Sequence, residues 1–198
     1  MKKSLLFTFL FPLLFSQLYA QPNNYNSSIK DFQELYAIHH EVVKENDKQF
    51  FRFYAPDKKF KISASFEKLH DSTGFIMKTS GTKEKKFYRY GRIHFKLKNK
   101  SIHLTIYRSD QLMNDTAYKN YLFLPFTDAT SGRDSYGGGR YIDLSTEDII
   151  DGKIMIDFNK AYNPYCAYAS GYNCPIPPRE NDIPLSIKAG EKDFGKSH

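Results

Sequence analysis

Apolar residues recur along this chain with two different periods, and the change of period separates one predicted helix from a series of predicted strands. From Gln49 onward apolar and polar residues alternate, which is typical of half-buried strands. Before it, steps of three and four predict a helix from Ser28 to near Asn46, with His39 packed and His40 facing solvent. The residues on the apolar face of that helix are Ile29, Phe32, Leu35, Tyr36, His39, Val42 and Val43.

The alternating segments predict a mostly antiparallel sheet. The clearest hairpin joins residues 93–97 to residues 102–106 through Lys98-Asn99-Lys100, with alternate apolar side chains on one buried face. His94 and His103 fall on its other face, where solvated cross-strand residues are favoured over a metal site, and no metal is predicted. Further strands are predicted at residues 60–66, 75–77, 87–90, 121–126, 141–144, 154–158 and 185–187. Together these elements predict an all-β fold, mainly an antiparallel sandwich or barrel, with one N-terminal α-helix.

The first twenty residues, MKKSLLFTFLFPLLFSQLYA, have the order of a secretory signal peptide: a basic start, an apolar run and a small last residue, Ala20. We predict cleavage before Gln21, a disordered N-terminus at residues 21–27 and a single β-rich domain at residues 28–198. The apolar run is short and interrupted by Pro12, so no stable membrane span is expected after cleavage. The mature protein is expected to be exported, to the periplasm or out of the cell.

The net charge and the absence of known sequence motifs argue against nucleic-acid binding and against several classes of enzyme. The 198 residues carry a formal net charge of +7, and removing Lys2 and Lys3 with the leader leaves 27 basic and 22 acidic residues, or +5. Solvated lysines on hairpins explain this excess, and there is no RNA- or DNA-binding signature, so nucleic acid is not an expected partner. No phosphate-loop, dinucleotide, GxSxG or HExxH pattern is present, and no cofactor is predicted.

The two cysteines, Cys166 and Cys174, are eight residues apart. That spacing suits neither a zinc site nor a CxxC redox motif. No histidine lies between His103 and His198 to act as a base for a catalytic cysteine. In an exported protein the simplest expectation is a disulfide.

Long motifs in the second half of the chain resemble one family. The runs PFTDATSGRDSYGGGRYIDL, IDFNKAYNPYCAY, CPIPPREN and IKAGEK are similar to the bacterial and archaeal domain-of-unknown-function family DUF1684. The resemblance covers residues 53–192 and is densest from Leu124 onward. It implies a compact, mostly β domain, and it carries over no activity and no catalytic residues.

The candidate site therefore rests on the residues themselves. Three glycines, 137–139, allow close backbone approach before Arg140. Strand alternation places Asp157 and Asn159 together, opposite the apolar residues of their strand. We predict that Arg140 pairs with Asp157, either as an architectural cluster or beside a ligand pocket. Glu180 and Asn181 follow the proline-rich loop and complete the ligand-binding candidates.

Two functions are consistent with these residues. The first is a non-catalytic exported β domain that binds a small molecule or a cell-envelope partner through this polar site. The alternative is a hydrolase-like enzyme, with Asp157 or Glu180 as general base and Arg140 stabilising an anion. Carboxylates that converge in a deep pocket would favour the enzyme. A shallow surface on which Asp157 is fully engaged by Arg140 would favour binding or a structural role.

Overall fold

The computed structural model describes residues 24–196, and the predicted signal peptide, residues 1–20, lies outside that range. Within the range, nine strands and two α-helices are joined by short 3-10 turns. Their bounds are α1 Tyr25–Ile38, β1 Lys61–Lys68, β2 Phe75–Met77, β3 Lys85–Leu97, β4 Lys100–Ser109, α2 Asp110–Met113, β5 Tyr121–Asp128, β6 Arg140–Ser145, β7 Ile149–Ile150, β8 Lys153–Asp157 and β9 Asp182–Ile183.

One sheet contains all nine strands. Its order is β6-β5-β4-β3-β1-β8-β7, with β2 added beside β3 and β9 beside β5. The pairings are antiparallel except for that of β9 with β5, which is parallel. The predicted class, mainly antiparallel β with one N-terminal helix, is confirmed; the single-turn α2 is an addition to it.

The predicted hairpin is confirmed as β3 and β4. Lys98 and Asn99 both take positive φ values, 48° and 62°, as a tight two-residue turn between twisted strands requires. The register places His94 directly opposite His103. The strands predicted at 87–90 and 93–97 are one strand, which passes through Gly91 with a register irregularity. A side chain at Gly91 would collide with the ring of Phe66, so glycine keeps β3 continuous there.

A single large core lies on the concave side of this sheet. It includes Ile142 and Leu144 from β6 at one end of the strand order and Ile154 and Ile156 from β8 near the other end. Because both ends reach the same core, the sheet curls around it. Alternation on each strand puts the apolar set inside and leaves the other set for the outer face.

A second, more aromatic cluster covers part of that outer face. Met77, Phe87, Tyr107, Phe123 and Tyr141 are buried there, and Phe75, Tyr121 and Tyr162 pack against them. This covering explains why β5 is apolar on both faces. It also forms the floor of the candidate site.

The helix differs from its prediction at both ends. It begins at Tyr25, within the segment predicted to be disordered, because Asn24 accepts a hydrogen bond from Asn26 N–H and caps the first turn. It ends at Ile38, and residues 45–50 form a separate 3-10 helix. The prediction for the two histidines was wrong: His39 is exposed and His40 is buried, since the helix ends before His40.

The strand predicted at residues 185–187 is absent from the described part of the chain, and β9 ends just before Pro184. The backbone of Ile187 is hydrogen-bonded to side chains instead of to a neighbouring strand. Its N–H donates to Asp128 and its carbonyl accepts from Arg140. A buried ion pair therefore provides the hydrogen bonds that a sheet would have supplied.

Candidate functional site

Arg140 does not pair with Asp157, so this prediction was wrong. Its guanidinium is fully buried and lies 2.7 Å from Asp128 Oδ2, which is also fully buried. Nη1 donates to the carbonyls of Ala189 and Glu191 and Nη2 also donates to that of Ile187, whereas the buried Nε has no partner among the described residues. Every one of these partners is internal, so Arg140 ties β5 and β6 to the C-terminal segment and does not face a ligand.

The glycine run serves the same packing. Gly139 has φ of +86°, and a Cβ there would lie 2.7 Å from both the Phe126 carbonyl and a Pro177 ring carbon. Only glycine combines that backbone angle with so close an approach. Arg140 thus enters the core directly from a tight turn.

Asp157 and Asn159 anchor the N-terminal helix. The Tyr25 hydroxyl, in the first turn of α1, donates to both carboxylate oxygens of Asp157 at 2.9 and 3.1 Å. Asn159 donates to that hydroxyl and exchanges hydrogen bonds with the backbone of Asp57. Burial and the Asp157 carboxylate raise the pKa of Tyr25, which stays a neutral donor.

Glu180 and Asn181 hold the proline-rich loop against β4. Glu180 accepts from Tyr107 at 2.6 Å and from Arg89 at 3.1 Å. Asn181 binds both the N–H and the carbonyl of Thr105, as a strand residue would. The five candidate residues therefore lie in three separate hydrogen-bond networks, and no single site contains all of them.

A groove of about 1340 Å³ lies elsewhere, between α1, the outer face of β5 and β6, and the disulfide loop. Among the five sequence candidates, only Asp157 lines it. Its volume exceeds the ~300–1,000 Å³ of common small-molecule pockets. Its ten Phe and Tyr residues are Phe32, Tyr36, Phe87, Tyr118, Tyr121, Phe123, Tyr141, Tyr162, Tyr165 and Tyr172.

The groove is acidic although the whole chain is basic. Five carboxylate residues line it, against three lysines, Lys61, Lys85 and Lys160, which gives a formal balance of −2. The acidic residues are Glu41, Asp143, Glu147, Asp148 and Asp157. With a formal charge of +7 for the chain, this local reversal favours positively charged ligands.

Asp143 is the carboxylate held among the aromatic rings. It lies on β6, opposite Phe123 of β5, and its side chain is on the face away from the core. Tyr121 donates to its Oδ1 at 2.7 Å and Tyr162 donates to the same atom at 2.6 Å. Asp143 nevertheless stays exposed, so the two hydroxyls orient the carboxylate without covering it. Burial and the Asp143 charge raise the pKa of both tyrosines.

The rings around Asp143 form a continuous wall, which we call the aromatic wall: Phe87, Phe123, Tyr141, Tyr162 and Tyr36. Their successive centroids are 5.6, 4.7, 5.9 and 5.9 Å apart. Most pairs meet edge to face or tilted, in the separations that aromatic pairs prefer. The wall lines the groove beside Asp143, with Phe87, Phe123 and Tyr141 buried and Tyr36 and Tyr162 half-buried.

His40 lies at the end of the groove formed by α1. Burial lowers its pKa to about 4, so the ring is neutral at physiological pH. Val43 N–H donates to Nδ1, which leaves the proton on Nε2. That Nε2 has no hydrogen-bond partner among the described residues, and the Tyr168 ring lies 4.5 Å from the imidazole.

A chain of hydroxyls connects the groove to a buried acid. Tyr36 in the groove lies 3.2 Å from the Tyr168 hydroxyl, and Tyr168 donates to Glu191 at 2.7 Å. Glu191 is fully buried, and its desolvation raises its pKa to about 8. Hydrogen bonds from Asn163 N–H and Tyr168 oppose this rise and do not cancel it.

The predicted disulfide between Cys166 and Cys174 is confirmed. Its loop forms one side of the groove through Tyr165, Tyr172 and the backbone around Cys174. Ser80, from the β2–β3 connection, binds both the loop and Cys166 Sγ. No group of three or more His, Cys, Asp or Glu side chains in residues 24–196 is placed to hold a metal ion, and no helix there is long and apolar enough to cross a membrane.

The sequence contained a signal for Asp143 that the site prediction missed. In Arg140-Tyr141-Ile142-Asp143-Leu144, strand alternation puts Tyr141 and Asp143 on the face opposite Ile142 and Leu144. Tyr162 gives no comparable signal, because it reaches Asp143 from a loop after β8. Only the folded chain brings these residues together.

Comparisons with other proteins identify relatives but no activity. A family model described as "Protein of unknown function (DUF1684)" matches residues 49–192. Among curated proteins, none matches this chain. The solution NMR structure of an uncharacterized protein from gene locus rrnAC0354 of Haloarcula marismortui is similar, with 27% identity and a TM-score of 0.62, over 84% of this chain and 90% of that one.

Proposed function

The chain belongs to the DUF1684 family, described as proteins of unknown function, and we propose that it binds a small organic cation in its aromatic groove. The observation that carries this proposal is Asp143, a carboxylate oriented by two tyrosine hydroxyls and still exposed among aromatic rings. An ammonium group beside that carboxylate gains an ion pair and contacts with π-faces. The proposed small-molecule site is therefore centred on Asp143, and not on the residues that the sequence suggested.

The surrounding groove supports the same ligand class. Its formal balance of −2 attracts cations, and its aromatic lining covers the apolar part of an organic ligand. Cation–π attraction at partly desolvated sites is worth roughly 0.5–2 kcal/mol per ring. A small inorganic ion would leave most of the aromatic surface without a partner.

The residues proposed for the hydrolase alternative are all engaged in contacts within the fold. Arg140 is buried against Asp128 and cannot stabilise a substrate anion. Asp157 is engaged by Tyr25 and Asn159, and Glu180 by Tyr107 and Arg89. A binding role needs none of these residues to be free.

Choline is a suitable probe, since its trimethylammonium group fits between aromatic rings. We expect Asp143→Asn to weaken choline binding at least about 10-fold, measured by calorimetric titration of the folded domain. Glu147→Gln is the matched control, because it removes one negative charge from the groove and leaves Asp143 in place. Equal weakening in both variants would mean that only the general charge of the groove matters, and unchanged binding in Asp143→Asn would refute the site.

Export would place this groove in the periplasm or outside the cell. The signal-peptide pattern of residues 1–20 and the disulfide both favour that location. The intact mass of protein recovered from the native host tests it. A species beginning at Gln21 supports export, and retention of residues 1–20 contradicts it.

A further inference from the structure

The solvent face of β3 and β4 carries a histidine pair that the groove does not use. His94 and His103 lie opposite each other in the register, and their Nδ1 atoms are 2.6 Å apart. The two rings meet edge to face with centroids 4.7 Å apart. Cross-strand neighbours are held by the sheet itself, so the pair is preorganised by ten paired positions along this hairpin.

Glu67 on β1 determines which nitrogen of His94 is free. Its Oε2 lies 3.2 Å from His94 Nε2. Because a carboxylate only accepts hydrogen bonds, Nε2 carries the proton and donates a hydrogen bond to Glu67. The lone pair of a neutral His94 is then on Nδ1, the atom that faces His103. Metal-binding histidines commonly show this arrangement, in which a carboxylate fixes the tautomer and ring orientation from the far side.

His103 can complete the pair of ligands without a change of fold. In the hydrogen-bonded state, its Nδ1–H donates to His94 Nδ1. When His103 carries its proton on the exposed Nε2 instead, both Nδ1 lone pairs converge on one point. Two nitrogens bound to a tetrahedral zinc at ~2.0–2.1 Å are about 3.3 Å apart, so the side chains need to separate by less than about 1 Å.

We propose that His94 and His103 bind a divalent transition-metal cation such as Zn²⁺ on this face, with Glu67 as the outer partner of His94. Imidazole nitrogens suit Zn²⁺ and its late first-row neighbours better than Ca²⁺ or Mg²⁺. Because no third His, Cys, Asp or Glu ligand converges here in residues 24–196, water or an external group completes the coordination. The site is independent of the aromatic groove, and either can fail without the other.

Calorimetric titration of the untagged protein with Zn²⁺ tests this site. Wild type should bind one Zn²⁺ per chain, and His94→Gln and His103→Gln should each abolish that binding. Glu67→Gln should weaken it at least about 10-fold, as loss of an outer partner does. The control is His70→Gln, which changes an exposed histidine two residues beyond β1 and should bind like wild type.

Two results would overturn the proposal. One is the absence of saturable Zn²⁺ binding in wild type, and the other is unchanged binding in His94→Gln or His103→Gln. Melting each variant without metal confirms that it is folded, since both side chains are on the solvent face and neither packs in the core.

Discussion

Arg140 and Asp128 are two buried charges that depend on each other. Each is fully removed from solvent, and their contact is 2.7 Å. Removing one partner of a buried pair leaves the other uncompensated, which costs about 3–5 kcal/mol. We therefore expect Arg140→Met to lower the free energy of unfolding by about that amount, measured by urea denaturation.

Arg133→Met provides the comparison, because Arg133 lies in the same connection between β5 and β6 but is exposed. It should change the unfolding free energy by no more than about 0.5 kcal/mol. Near-native stability in Arg140→Met would show that the pair is not a structural element. Asp157→Asn should not reproduce the Arg140 effect, since Asp157 belongs to the Tyr25 network.

Glu191 is a buried acid whose titration affects stability in a defined pH window. Its pKa is raised from 4.5 to about 8 by desolvation, so the native state keeps a proton that the unfolded chain has released. The stabilisation from this group is complete below pH 4.5 and is lost as pH rises through about 8. Within that window each pH unit costs up to about 1.4 kcal/mol.

We expect Glu191→Gln to remove this decline, because the amide has no proton to lose. Unfolding free energies measured between pH 5 and pH 8.5 should fall for wild type relative to the variant. Glu34→Gln, at an exposed position on α1, should follow wild type. Parallel profiles for wild type and Glu191→Gln would contradict the raised pKa.

The disulfide loop is the element that closes one side of the groove. Cys166 and Cys174 enclose eight residue steps, and in the chain-entropy model such a loop contributes about 2.5 kcal/mol. The double variant Cys166→Ser/Cys174→Ser should lose about that much unfolding free energy. Reduced wild type is the control and should match it, whereas equal stability of oxidised and reduced wild type would argue against a constraining role.

The spacing of apolar residues was sufficient to predict the elements whose backbone hydrogen bonds join residues close together in the sequence. Alternation located the β3–β4 hairpin and its buried face, because both strands and the turn lie within 25 residues. The limits of α1 were missed because a residue before it caps the helix and Tyr25 binds Asp157, 132 positions away. The strand prediction for residues 185–187 was wrong because the buried side chains of Asp128 and Arg140 satisfy the backbone of Ile187.

The strand register decides which side chains the candidate residues contact, and the sequence alone does not reveal that register. Arg140 stands opposite Phe126 in the β5–β6 register, which brings Asp128 to it and leaves Asp157 in another network. Strand alternation was enough to place Asp143 on the outer face. It could not supply Tyr162, which comes from a loop and completes the orientation of that carboxylate.

The whole molecule is a basic domain whose sheet presents one acidic, aromatic groove on its outer face. The helix forms part of one side of this groove and the disulfide loop another, while the Arg140–Asp128 pair lies inside, where β6 begins. The Arg140–Asp128 pair therefore holds the fold away from the groove in which we propose that a ligand binds. We infer that Asp143 and the aromatic wall recognise positive charge.

The most direct test compares choline with its neutral isostere, 3,3-dimethyl-1-butanol, by amide chemical-shift titration in solution NMR. The two molecules have the same shape around the quaternary centre and differ in charge. We expect saturable shifts with choline, at amides of β5, β6 and residues 162–175, and shifts at least about 10-fold weaker in apparent affinity with the alcohol. Equal affinity for both molecules, or choline shifts confined to other surfaces, would contradict recognition of positive charge at Asp143.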